Sequence, residues 1–254
     1  MDYTQMSREE LQQALDEQNK VLKEIKKRKI SLDISRGKPS AEQLDVTMPM
    51  LDMVGSTTVF PKPDYRNYGG LEGIPELRAL FAKMLGVEKD ETIVGGNASL
   101  QLMYDTIQRA MQFGVCGFKP WNEGKVKFIC PVPGYDRHFA ICQHFGIEMI
   151  NVPMTPAGPN MDLVERLVAD DESVKGIWCV PKYQNPTGYT FSDETVERLA
   201  KMKTAAKDFR IFWDNAYCVH DLYEQGDKLA NIMAIAKEAG TADRIYEFAS
   251  TSKI

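Results

Sequence analysis

The sequence has few of the residues that build metal sites and disulfide frameworks. It contains three histidines and five cysteines in 254 residues, and no two cysteines form a Cys-x-x-Cys pair. This scatter argues against a zinc site and a disulfide set, and it favours buried thiols in a reducing compartment. We therefore expect no metal and a cytoplasmic protein. The cysteines are Cys116, Cys130, Cys142, Cys179 and Cys218.

Long apolar runs and an excess of positive charge are also missing. No stretch approaches the ~18 apolar residues that a membrane helix needs, and the first residues lack the basic-then-apolar pattern of a signal peptide. The formal net charge of -5 gives no reason to expect a nucleic acid or an acidic membrane surface as a partner. With 43% hydrophobic and 26% charged residues, the composition is that of an ordinary globular protein.

Motifs of two common α/β enzyme classes are absent as well. No Gly-x-Gly-x-x-Gly follows the first strand-like run, which argues against a nicotinamide dehydrogenase. No Gly-x-Ser-x-Gly elbow is present, which argues against a hydrolase. The three histidines, His138, His144 and His220, have no ligand-like spacing, so each is interpreted as structural.

What the chain does have is an alternation of helical and strand-like segments. Residues 7–29 are predicted to form one long helix, because Ser7 and Glu10 match a capping box and leucines recur at helical spacing. Residues 33–70 are interpreted as an extended connection. Beyond them, helices predicted near 75–86, 98–112, 136–145, 161–169, 193–207 and 228–239 alternate with short apolar runs, which indicates an α/β fold with a mostly parallel sheet and helices on both faces. The predicted strands are Thr92–Gly95, Val126–Pro131, Glu148–Val152, Gly176–Val180, Arg210–Trp213 and Arg244–Ala249.

Five of these strand-like runs end in polar groups. In an open α/β sheet, ligands bind beyond the carboxyl ends of the strands. The ends supply a phosphate-type helix start, an aromatic ring, an amide, a carboxylate with a phenol, and an amine. This set suits a phosphorylated aromatic aldehyde containing nitrogen, which a lysine can hold as a Schiff base. The segments are Gly96-Asn97-Ala98-Ser99, Pro133-Gly134-Tyr135, Asn185-Pro186-Thr187-Gly188, Asp214-Asn215-Ala216-Tyr217 and Ser250-Thr251-Ser252-Lys253.

Each of these groups also has an ordinary structural explanation. The segment at Asn97 can be a helix cap, and Tyr135 can be a turn aromatic packed on the core. Asn185 with its proline can form a type I turn, Asp214 can cap the next element, and Lys253 can be a solvated surface lysine. The joint occurrence, in this order and each at a strand end, favours the cofactor site.

Taken together, the five motifs resemble those of the class I aminotransferases, which are pyridoxal-phosphate enzymes with the fold of aspartate aminotransferase. Two upstream segments add to the resemblance. They are Tyr65-Arg66-Asn67-Tyr68-Gly69-Gly70-Leu71, followed by Leu77-Arg78, and Arg36-Gly37-Lys38-Pro39, which is similar to a Gly-x-x-Pro substrate loop in a bacterial subgroup labelled aspartate aminotransferase.

This resemblance implies both a domain plan and a reaction. Residues 61–254 would form an incomplete cofactor-binding large domain with a sheet of about seven strands. Residues 1–60 would supply an N-terminal helix and an extended segment, belonging partly to the small domain and the substrate loop. The implied reaction is transfer of an amino group between an L-amino acid, with aspartate as the candidate, and a 2-oxo acid. A homodimer is implied too, because Tyr65 resembles a tyrosine that reaches the phosphate in the neighbouring subunit.

The resemblance also implies a role for each residue. Lys253 would form the aldimine with pyridoxal 5'-phosphate and move the proton, and Asp214 would keep the pyridine nitrogen protonated. Asn185 and Tyr217 would bind the phenolic oxygen, while Tyr135 would stack on the ring. Further residues are implied in holding the phosphate or the substrate. The phosphate residues are Asn97, Ala98, Ser99, Ser250 and Ser252, and the substrate residues are Gly37 and Asn185.

Parts of the family pattern do not occur before Ile254. The family has two arginines and a small C-terminal domain after the Schiff-base lysine, so we expect this sequence to be the N-terminal piece of a longer protein. The alternatives are a lyase or synthase of the same cofactor class and fold, or an inactive fragment that binds the cofactor. A transcriptional regulator with such a domain would need a DNA-binding module, for which the roughly 30 preceding residues are too few.

Overall fold

The computed structural model describes residues 2–31, 37–60, 62 and 64–253. The chain divides into two compact units, Met1–Thr47 and Met48–Ile254. Within the described ranges, no helix combines the length and the apolar character that crossing a membrane requires.

The first unit is helical. Helix α1 spans Arg8–Lys27 and begins with the expected capping box, in which Ser7 Oγ accepts from the Glu10 N–H (3.3 Å) and the Glu10 carboxylate accepts from the Ser7 N–H (2.8 Å). This confirms the predicted long helix. A short helix, α2 (Ala41–Asp45), lies in the stretch interpreted as extended. That interpretation is wrong here because Ser40 and Gln43 form a second capping box.

The second unit contains a six-stranded sheet with the order β3-β2-β1-β4-β5-β6. Only the pair β2–β3 is antiparallel, and the other neighbouring strands run parallel. The predicted α/β fold with a mostly parallel sheet is confirmed, with six strands in the described residues rather than about seven. The strands are β1 (Lys127–Val132), β2 (Glu148–Thr155), β3 (Gly158–Pro159), β4 (Val174–Cys179), β5 (Arg210–Asp214) and β6 (Ile245–Phe248).

Helices cover both faces of this sheet, as predicted. Side chains of successive strand residues point to opposite faces, so Ile129, Ile177 and Ile211 belong to one buried core, whereas Phe128, Trp178 and Phe212 belong to a second, aromatic one. The first core packs against α6, α7 and α8, and the second against α4 and α5. The helices of this unit are α3 (Pro75–Leu85), α4 (Ser99–Phe113), α5 (Asp136–His144), α6 (Met161–Ala169), α7 (Asp193–Lys201) and α8 (Ile232–Ala239).

Three local predictions are wrong. The segment Thr92–Gly95 joins no sheet among the described residues, because the Val94 N–H donates to the Glu72 carbonyl (2.8 Å) and a strand needs a ladder partner. The helix predicted over 193–207 ends at Lys201, after which Met202 has extended backbone (ψ 145°). Cys116 is exposed because it lies in the turn after α4.

Candidate functional site

Several of the predicted motifs lie at the carboxyl edge of the sheet. Strands β1, β4, β5 and β6 are parallel neighbours, and Asp214 at the end of β5 lies opposite Phe248 at the end of β6. Burial, followed by the charge of Asp214 and the nearby Tyr135, raises the pKa of the half-buried Tyr217. Three predicted site residues, Tyr135, Asp214 and Tyr217, are therefore brought together.

Asp214 is the buried carboxylate of this edge, with 6% of its surface exposed. Its Oδ2 lies 2.9 Å from His138 Nε2. Its Oδ1 is buried and has no hydrogen-bond partner in the part of the chain that the structure describes. A buried carboxylate oxygen without a donor is costly, by about 1–3 kcal/mol or more for a charged group. Oδ1 therefore has the capacity to accept a hydrogen bond from an N–H donor.

His138 is a residue of this site that the sequence interpretation missed. It was expected to be structural, yet its ring is 1% exposed and is bonded to Asp214. His138 lies in the first turn of α5, where its N–H donates to the Tyr135 carbonyl (3.1 Å). Tyr135 packs edge-on against the imidazole, with ring centroids 5.0 Å apart. The usable signal was its position, three residues after Tyr135 on the helix that starts at this edge.

The lysine segment follows β6 and reaches the start of α4. Ser252 Oγ donates to the Asn97 carbonyl (3.0 Å), and the Ser252 N–H donates to Ser250 Oγ (3.3 Å). His220 Nε2 donates to the Lys253 carbonyl (2.9 Å). Four predicted site residues, Asn97, Ser250, Ser252 and Lys253, thus form a second, mostly exposed group.

The start of α4 has the features of an anion-binding site. Its N-cap is Ala98, which makes no side-chain cap bond. The first N–H groups of a helix have no partner within the helix, and they favour a negative charge. Ser99 and the preceding Asn97 are accordingly placed next to Ser252, with backbone donors available for a phosphate.

Three predicted residues are not brought into these two groups by any hydrogen bond that the structure describes. Asn185 is exposed and precedes a cis peptide to Pro186. The Tyr65 hydroxyl donates to the Glu76 carboxylate, which raises the pKa of Tyr65. Gly37 belongs to the Met1–Thr47 unit, and Arg36 of the same motif lies outside the described residues.

A second overlooked carboxyl, that of Glu247, lies on β6 beside the site. Asn215 follows Asp214 directly, and its side-chain amide donates to Glu247 Oε1 (2.8 Å). The Asn215 N–H also donates to the Phe248 carbonyl (2.8 Å). Burial raises the pKa of Glu247 to about 7, and the bond from Asn215 opposes this rise. The signal for Glu247 was a lone acid inside the apolar run of a predicted buried strand.

Known proteins are similar to this chain in sequence and in fold. The family model described as aspartate amino-transferase matches residues 6–254. The chain belongs to this family. An aspartate aminotransferase of Corynebacterium glutamicum is 46% identical over 235 residues, covering 91% of this chain and 54% of that protein. This confirms the family expected from the motifs.

Solved structures of aminotransferases have the same fold. The crystal structure of an aspartate transaminase from Corynebacterium glutamicum is 42% identical, with a TM-score of 0.87 over 97% of this chain and 59% of that one. LysN, the α-aminoadipate aminotransferase of Thermus thermophilus complexed with N-(5'-phosphopyridoxyl)-L-leucine, is 22% identical, with a TM-score of 0.58 over 74% of this chain and 44% of that one. This chain thus spans less than two thirds of the length of each of these relatives.

Proposed function

We propose that the whole protein, of which this chain forms part, transfers an amino group between an L-amino acid and a 2-oxo acid with pyridoxal 5'-phosphate as cofactor. The observation that carries the proposal is the Asp214 carboxylate. It is buried, it is bonded on one oxygen by His138, and it has no described partner on the other.

The residues present fit this cofactor. Asp214 Oδ1 would accept from the protonated pyridine nitrogen, and Tyr135 would stack on the ring. The backbone N–H groups of Ala98 and Ser99 would hold the phosphate together with hydroxyls of Ser250 and Ser252. When bound, the cofactor supplies an electron sink for the carbanion at the substrate Cα. The phosphate residues in full are Asn97, Ala98, Ser99, Ser250 and Ser252.

The side chains of this chain do three kinds of work. Asp214 would keep the ring nitrogen protonated by its charge, and His138 would donate from Nε2 to Oδ2 so that Oδ1 remains available to that nitrogen. Lys253 Nζ would anchor the cofactor covalently, and its amine would take up and return the proton that leaves the substrate Cα. The pKa of the Tyr217 hydroxyl is raised by burial, so this group would keep its proton and donate to the ring oxygen.

Further parts of the proposal concern the substrate and the assembly. Aspartate is the proposed amino donor, since the relative that is 46% identical is named an aspartate aminotransferase. Gly37 and Asn185 would contact the substrate. Tyr65 would reach the phosphate site of the neighbouring subunit in a homodimer. Residues 61–254 would form the cofactor-binding domain of a cytoplasmic enzyme, and residues 1–60 would belong in part to its small domain and substrate loop.

Cofactor addition tests the proposal. Pyridoxal 5'-phosphate added to the whole protein should give the long-wavelength absorbance of lysine-bound cofactor, and aspartate with a 2-oxo acid should be turned over. Lys253→Ala should abolish that absorbance and reduce kcat by at least about 10⁴-fold, since it removes both the covalent anchor and the acid–base group. Lys207→Ala, at an exposed lysine, is the matched control. An unchanged cofactor spectrum with the wild-type protein would overturn the proposal.

A further inference from the structure

The indole of Trp178 contacts helix α5 at two points, one turn apart. Trp178 lies on β4 and stacks on the His138 imidazole, with ring centroids 4.4 Å apart and planes inclined by 10°. Its Nε1–H donates to Cys142 Sγ at 3.2 Å. His138 and Cys142 are spaced i, i+4, so they share one face of α5. A single side chain of the sheet thus fixes that face of α5.

The indole cannot rotate away from this position. It is 2% exposed, and its centroid lies 4.8 Å from the Phe212 ring and 5.8 Å from the Phe128 ring, both tilted against it. In a close-packed interior, a planar side chain held on several sides has one orientation. The plane of Trp178 is therefore set by the aromatic core and by the bond to Cys142.

The imidazole ring of His138, by contrast, can rotate about its Cβ–Cγ bond at little cost. The bond that turns a histidine ring about its Cβ–Cγ axis has broad minima, so the bond to Asp214 does not by itself fix the ring plane. The stacked indole closes one face, and the edge of Tyr135, with centroids 5.0 Å apart and planes at 90°, restricts another side. Turning the ring would drive its edge into the indole.

We propose that Trp178 is a positioning residue that directs His138 Nε2–H at Asp214 Oδ2 and so keeps Oδ1 aimed at the cofactor nitrogen. Cys142 contributes indirectly, because its Sγ accepts the hydrogen bond from the indole N–H and so holds Trp178 in place. The catalytic role of Trp178 in this inference rests on the proposed function. The orientation of His138 can nevertheless be measured without cofactor.

The test uses nitrogen and proton NMR of the His138 ring in the cofactor-free protein, with the signal assigned by its loss in His138→Gln. In the wild type, we expect one tautomer with a protected Nε2–H. Trp178→Leu should exchange this proton about tenfold faster, the upper end of what an aromatic pair contributes. Trp178→Phe, which keeps a stacking ring, should accelerate the exchange by a smaller factor of about two- to threefold, and so should Cys142→Ala.

Trp121→Leu is the matched control, because Trp121 is a buried tryptophan of the same aromatic core and has no ring contact with Trp178 or His138 among the described residues. It should leave the His138 signal unchanged. The inference is overturned if folded Trp178→Leu keeps the wild-type exchange rate, or if Trp121→Leu accelerates exchange as much. Should Trp178→Leu not fold, an unchanged rate in both Trp178→Phe and Cys142→Ala overturns it.

Turnover gives a second readout. In the whole protein, Trp178→Phe should lower kcat with little change in KM, and it should add no further loss when His138 is already glutamine. Additive losses would mean that Trp178 acts independently of His138. Failure of the proposed function would appear elsewhere, as an unchanged spectrum of added pyridoxal 5'-phosphate, and would leave the NMR result intact.

Discussion

The two halves of the candidate site are built differently. One half, here called the nitrogen side, consists of Asp214, His138 and Trp178, whose exposures are 6%, 1% and 2%. The other half, the phosphate side, consists of the start of α4 and residues 250–253, where Ser252 and Lys253 are exposed. The first is embedded in an aromatic core, and the second is held by backbone groups and hydroxyls at the surface.

Because of this difference, we expect the two sides to act through different physical effects. A charge in a dry, rigid environment acts strongly and needs no reorganisation during the reaction. Hydrogen bonds at an exposed surface compete with water and contribute about 1 kcal/mol each. We therefore expect substitutions on the nitrogen side to affect catalysis by large factors, and substitutions on the phosphate side to affect cofactor affinity by small ones.

Asp214→Asn is the strongest test of this contrast. An amide has nearly the same shape but carries no charge to keep the ring nitrogen protonated. In the whole protein, kcat should fall about 10³-fold, in the range of removed electrostatic stabilisation, while the cofactor still binds. Spectral titration and steady-state kinetics measure both effects. Asp170→Asn, at an exposed carboxylate, should match wild type. Near-normal turnover of Asp214→Asn would break the comparison.

The pH dependence caused by Glu247 tests whether the buried environment of the nitrogen side extends to β6. The pKa of Glu247 in the folded chain is about 7, above its ordinary value of 4.5. Between these values the folded state holds a proton that the unfolded state has released. Stability should therefore decrease as pH rises through this window, by on the order of 3 kcal/mol, and level off above it.

Glu247→Gln should remove this pH dependence, because the glutamine carbonyl can still accept from Asn215 and does not ionise. Urea unfolding at a series of pH values from about 4.5 to 8 gives the difference between variant and wild type, in which the other carboxyls cancel. Glu238→Gln, at an exposed position on α8, should keep the wild-type slope. A Glu247→Gln slope equal to that of wild type would show that burial ends before β6.

Sequence reasoning found the parts of the site that follow local rules. The positions of Asp214 and Lys253 after neighbouring parallel strands could be predicted because each follows an apolar run, and the carboxyl ends of parallel strands share one edge. The long helix α1 could be predicted because Ser7 and Glu10 form its cap within four residues. These features depend on neighbours in sequence.

What sequence reasoning missed depends on contacts between distant residues. His138 bonds to Asp214 across 76 positions, and Trp178 bonds to Cys142 across 36. A histidine on an apolar helix face has the same pattern whether it only packs or also bonds to a carboxylate. The segment Thr92–Gly95 was predicted as a strand for the same reason, since its pattern is apolar and its ladder partner is a tertiary property.

Ser252→Ala is expected to have the smallest effect of these substitutions, and it tests the phosphate side of the comparison. It removes an exposed hydroxyl whose one proton is donated to the Asn97 carbonyl at 3.0 Å in the structure and would turn to the phosphate in the proposed site. Loss of one such bond costs about 0.5–1.5 kcal/mol, so the Kd for pyridoxal 5'-phosphate should rise about two- to tenfold while kcat at saturation stays unchanged. Thr251→Ala, at the exposed neighbouring position, is the control. A fall in saturated kcat as large as that of Asp214→Asn would mean that the phosphate side also acts on the chemical step, and the division between the two sides would have to be abandoned.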